Sequence, residues 1–124
     1  MKLPIGYTNW SLSPDGSRLA IFLDRHGVRF VSPSTRVDRD VVIQDWPLTN
    51  GDWAADSKRV FMPSVTPRGT PVIIAVNEAG SAEVIFEGQS HTDFAWMIQS
   101  PDSRHVILEM PSPGDNNAWM VENF

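Results

Sequence analysis

Ser13-Pro14-Asp15-Gly16-Ser17-Arg18-Leu19 decides the fold, because the chain repeats it in altered form as Ala55-Asp56-Ser57-Lys58-Arg59-Val60 and again as Ser100-Pro101-Asp102-Ser103-Arg104-His105-Val106. Proline presets φ for a reversal, aspartate bonds the backbone two residues on, and glycine accepts a positive φ, so each copy reads as a tight turn. Trp10, Trp53 and Trp96 stand shortly before the copies, and an aliphatic, β-branched run follows each one. The turn aspartates Asp15, Asp56 and Asp102 lie 41 and 46 residues apart. That is the length of a four-stranded antiparallel propeller blade.

Working outward, the first unit (about residues 7–44) places strands at Tyr7–Leu12, Leu19–Leu23, Val28–Val31 and Val41–Ile43. Asp24-Arg25-His26-Gly27 joins the middle pair, and the charged stretch Ser32–Asp40 reads as a solvated hairpin loop. The second unit (about 48–87) runs Asp52–Ala54, Val60–Met62, a Pro-Gly loop over Pro63–Thr70, Val72–Val76, a hairpin turn at Asn77–Gly80 and Ala82–Phe86. The third (about 93–124) has Phe94–Ile98, Val106–Leu108, a loop over Pro111–Asn116 and Ala118–Val121, with no outer fourth strand. Residues 1–6 are the candidate for that closing strand. The expected architecture is all-β: three four-stranded antiparallel blades in a single unit spanning 1–124.

Composition fits this reading and removes several functions. Ten Pro and eight Gly break the 124 residues into short pieces, and five Trp with six Phe supply aromatic packing. A formal charge of −5 with scattered Lys and Arg lacks the cationic footprint that nucleic-acid backbones or anionic membranes select. No cysteine is present, so disulfides and thiolate metal sites are excluded and the redox compartment is left open. No segment approaches the ~20 apolar residues of a spanning helix, and the opening residues do not form a signal peptide. The compartment, bacterial periplasm or cytoplasm, is not assigned.

The three turns resemble those of TolB-type, WD-like "SPDG" β-propeller repeats. Ser13-Pro14-Asp15-Gly16 carries the likeness most fully, Ser100-Pro101-Asp102 next and Ala55-Asp56-Ser57 least. Residues 96–124 resemble the end of propellers appended to bacterial winged-helix regulators and Ser/Thr kinases. Ser57 and Ser103 stand where such repeats usually have Gly, so their turns must avoid or strain a positive φ. The resemblance implies six or seven blades, against three here. The simplest closure pairs two chains about a two-fold axis into a six-bladed ring, each adding residues 1–6 to its partner's third blade; closure within a longer parent is the alternative.

In such a fold the SPDG turns mark one face, and the loops between second and third strands and between blades share the other. That second face collects the candidate ligand- or partner-binding residues Asp24, Arg25, His26, Asp45, Trp46, Arg68, His91, Asp93, Asp115 and Asn116. Asp15, Gly16, Asp56 and Asp102 are read as structural turn residues. Trp10, Trp53, Trp96 and Trp119 are expected to pack between blades. Trp46 breaks the repeat, and is either an exposed aromatic or part of a satellite core. Ser90, His91 and Asp93 are too close in sequence to point at one another as a triad, and no ligand spacing indicates a metal. The expected function is a non-enzymatic binding or scaffold module without cofactor, the sensor portion of a signalling protein. The alternatives are a hydrolase or lyase at the channel mouth, or a purely structural half ring.

Overall fold

A computed structural model describes residues 9–23, 27–43, 46, 50–88, 96–102, 104–112 and 115–122; at 96, 109–112 and 115–119 it describes the backbone alone. Eleven strands form three antiparallel sheets, in chain order, among these residues. Blade one contains β1 (Trp10–Leu12), β2 (Leu19–Leu23), β3 (Gly27–Ser32) and β4 (Val37–Val42). Blade two contains β5 (Asp52–Trp53), β6 (Val60–Val65), β7 (Pro71–Val76) and β8 (Ala82–Glu87). Blade three contains β9 (Trp96–Gln99), β10 (His105–Ser112) and β11 (Asp115–Glu122), without a fourth strand among the described residues. Each sheet is a plain meander, the connectivity that tight turns between consecutive strands impose.

The middle strands of blade two are apolar on both sides because that sheet is covered on both. Val60, Met62, Val72, Ile74 and Val76 face blade one, where they join Ala20, Phe22, Val28, Phe30 and Val41 around Trp53. Phe61, Ile73 and Ala75 on the other face of blade two join Met97, Val106 and Leu108 of blade three. Alternation along β6 and β7 therefore serves two different cores. Trp53 is the centre of the first. Its ring meets Phe30 edge-on at 5.6 Å, a geometry worth about 0.5–1.5 kcal/mol beyond burial. Its indole N–H donates to the Ser11 carbonyl oxygen at 2.9 Å, so the polar edge of a buried ring is satisfied across the blade boundary.

Three stretches read as loops are partly strand. Val37–Asp40 lies in β4, paired with β3, rather than in a loop spanning Ser32–Asp40. The outermost strand of a blade faces water, so its Val-Asp-Arg-Asp composition carries no burial signal. Arg29 reaches across to Asp40 with two hydrogen bonds of 2.7 and 3.0 Å, and this forked pair holds Asp40 below the usual carboxylate range. The remaining reversal is Pro33–Arg36, with Arg36 at φ 56°.

Pro63, expected to open a loop, sits inside β6 opposite Ile73. The Thr66 N–H bond to the Thr70 carbonyl at 2.9 Å sets the alternation of the hairpin, leaving the Pro63 nitrogen turned away from β7. On that side β5 covers only Val60 and Phe61, so no ladder bond is lost. Asp115 and Asn116, expected in a loop, lie in the β10–β11 ladder opposite Ser112 and Pro111. Register pairing there extends the hairpin past residues whose types favour turns.

Gly51 enters β5 under close constraint. A Cβ at this position would stand 2.6 Å from the Phe61 carbonyl oxygen and 2.9 Å from Met62 Cγ. Gly51→Ala is therefore expected to cost about 1–3 kcal/mol through overpacking, read as a fall in the urea midpoint. An unchanged midpoint would show that β5 can move away from β6.

Candidate functional site

Among the described residues the repeated turns are well-defined polar sites, and their chemistry is self-directed. In the first, Asp15 Oδ1 accepts from the Ser13 hydroxyl (2.7 Å), the Ser17 N–H (2.9 Å) and the Ser17 hydroxyl (2.7 Å). Buried Ser13 in turn accepts from the Arg18 N–H at 2.9 Å. Three donors on one carboxylate favour its charged form, with the Ser17 N–H foremost, and lower Asp15 to about 2. The third turn repeats this: the Ser100 hydroxyl and the Arg104 N–H donate to Asp102, and Ser100 accepts from the His105 N–H. Asp102 is likewise held below the ordinary carboxylate range, mainly by Ser100. His105 lies between carboxylates, with Nδ1 3.6 Å from Asp102 and Nε2 3.3 Å from Glu122, linking the turn to β11.

The second turn has Ala54 in place of the serine, and Asp56 accepts from the Lys58 N–H at 2.9 Å. Ser57 takes φ 59° at the position where Gly16 takes 74°, so the expected strain is accepted, not avoided. A left-handed non-glycine residue costs on the order of 1 kcal/mol. Its hydroxyl compensates in part by accepting the Asp15 N–H at 3.2 Å from the neighbouring blade. Ser103 lies outside the described residues.

The innermost strands are joined by further polar contacts. The Ser11 hydroxyl donates to Asp52 at 2.8 Å between blades one and two, and Gln99 Oε1 accepts the Ala55 N–H at 2.7 Å between blades two and three. Where these strands meet the turns, Leu12, Pro14, Trp53, Gln99 and Pro101 help line a cleft of about 220 Å³. It opens on the turn face, not on the face to which the candidate residues were assigned. Its polar groups Asp52 and Gln99 are already engaged in the seams.

Of the residues assigned to the opposite face, Asp24, Arg25, His26, Asp45, His91 and Asp93 lie outside the described residues. Arg68 is exposed on the Thr66–Thr70 turn. Trp46 is half-buried against the core between blades one and two, so it is a satellite core residue and not an open platform. Asp115 and Asn116 are placed by backbone in β11. Among the described residues no three His, Asp or Glu side chains gather as a metal site.

The notable surface is one that the turn motif did not signal. Ile98, Ile107 and Met120 lie directly opposite one another across β9, β10 and β11, and are 48%, 47% and 61% exposed. Trp10 and Leu12 on the far side of blade one are 58% and 51% exposed. Trp10 therefore does not pack between blades as Trp53 does, because no described blade precedes it. The signal was in the sequence all the same: the unbroken apolar runs Trp96-Met97-Ile98 and Val106-Ile107-Leu108 are of the kind that strands covered on both faces carry.

No model of a known protein family matches the sequence, and no curated protein matches it. Solved structures do. Hydrazine synthase from Kuenenia stuttgartiensis superposes with a TM-score of 0.68 at 13% identity, over 95% of this chain and 39% of that one. TolB from Acinetobacter baumannii gives 0.70 at 18% identity, over 94% of this chain and 30% of that one. A chain of the mitotic checkpoint complex gives 0.61 at 20% identity, over 94% and 36%. The chain thus spans well under half the length of each, and the likeness establishes a β-propeller fold.

The Asp15 network makes stability pH-dependent. Its folded value lies below the unfolded one, so its contribution is complete above the unfolded range near 3.8 and is lost as pH falls through about 2. Asp15→Asn keeps an acceptor but removes the titration. Its stability, measured by chemical denaturation, is expected to fall less steeply than wild type between about pH 4 and 2; parallel curves would contradict this.

Proposed function

We propose that this propeller acts as a non-enzymatic interaction module, a docking unit of the TolB-like, SPDG-turn kind that serves as the sensor or scaffold portion of a signalling protein. The row Ile98–Ile107–Met120 is the observation that carries this reading. Three large apolar side chains aligned across three strands expose a hydrophobic strip at one end of the series of sheets. Burying such a strip gains about 25 cal/mol per Å², whereas leaving it wet invites association. The turn carboxylates Asp15 and Asp102 spend their acceptor capacity inside their own turns, which supports a structural over a catalytic use for them.

A photoreactive residue distinguishes the candidate surfaces. Ile107→p-benzoylphenylalanine is expected to give discrete cross-linked products on irradiation in cells, with Arg68→p-benzoylphenylalanine, on the loop face, as the comparison. Products from position 68 alone would move the partner surface to that loop, and none from either position would remove the docking reading.

A further inference from the structure

We infer that the occupant of the exposed strip is a second copy of this chain, blade three of each protomer packing on blade one of the other to close a six-bladed ring. This rests on the docking reading above and specifies its partner.

The inference comes from the rule by which blades pack within the chain. Counted from the turn aspartate, the fifth residue of each blade is Ala20, Phe61 or Ile107. Ala20 and Phe61 are fully buried, each directed at the following blade. The residues four and six after the aspartate face the other way. Val60 and Met62 receive blade one, and Val106 and Leu108 receive blade two. Each internal interface thus joins the same two registers.

Two faces in the described chain lack their counterpart. Ile107 is in the register that packs forward, yet it is half exposed, with Ile98 and Met120 beside it. Blade one holds the matching receiving register in Leu19 and Ile21, which with Val31 form a separate, buried apolar cluster on its outer face, and beside that cluster Trp10 and Leu12 stand exposed. Leu12, opposite Leu19, occupies the position held by Trp53 in blade two, and it is 51% exposed where Trp53 is 3% exposed. The exposed strip on blade three and the exposed Trp10 and Leu12 on blade one therefore lie on registers of the complementary kinds already joined twice inside the molecule.

Geometry then favours a copy. The contact joins unlike faces, head to tail, and the three described blades carry one of each. Two chains about a two-fold axis along the channel satisfy it twice, and six blades lie within the range at which propeller rings close. On blade one's outer face Arg29 is already paired with Asp40, so no unpartnered guanidinium enters the contact.

The head-to-tail arrangement is testable by mixing. By light scattering across a concentration series, the wild type is expected to have twice the mass of the 13.9 kDa chain. Ile107→Asp and Leu12→Asp, each charging one open face, should each halve that mass when alone. An equimolar mixture should regain association, since each retains the face that the other has lost. Met120→Lys, at a more exposed position, repeats the first variant should Ile107→Asp fail to show native far-ultraviolet circular dichroism. A wild-type single-chain mass at all concentrations, a mass above two chains, or a Leu12→Asp variant that still pairs would each overturn the ring. If the wild type is single while position 107 still cross-links to another protein, the copy is wrong and the docking reading stands; if both fail, both fall.

Discussion

The Trp53 indole binds two blades at once: its ring is buried against Phe30 from blade one, and its N–H is satisfied by the Ser11 carbonyl oxygen on the innermost strand of that blade. A sheet with both faces apolar is driven by water to cover each of them. It must be covered twice. Several features follow from that constraint, including the use of both faces of β6 and β7, the glycine at residue 51, where a Cβ would meet the Phe61 carbonyl oxygen, and the bonds from Ser11 to Asp52 and from Ala55 to Gln99.

The turns serve the same constraint from the edge. Asp15 and Asp102 close their own reversals with serine hydroxyls and backbone N–H groups, which brings the innermost and second strands together at a fixed register. Blade two has lost the serine, and the seams compensate: Ser57 reaches back to Asp15, and the Ala55 N–H finds Gln99. Degeneration of the motif in the central copy is tolerable because that copy has a neighbour on each side. The repeated motif thus measures the blades; it is not a binding site.

Legibility in the sequence followed burial. Leu19–Leu23 and Val72–Val76 were readable because apolar, β-branched runs between turn signals have few other uses. Val37–Asp40, Pro63–Val65 and Asp115–Asn116 were not, for a common reason. Each is held by ladder pairing to a neighbour, and pairing is a property of two strands that leaves little trace in the composition of one. The exposed tryptophan was misread similarly. Trp10 and Trp53 occupy nearby places in their units, but only Trp53 has a blade in front of it.

The all-β class, the three repeated turns and the self-directed role of Asp15 and Asp102 are legible in the sequence, because turn chemistry and two-residue alternation act over a few neighbouring positions. Only the tertiary structure decided which apolar faces are covered. Ala20, Phe61 and Ile107 are equivalent in their repeats, yet the first two are buried and the third is half exposed. Burial depends on what stands opposite a sheet, and that is settled by the order in which whole blades pack.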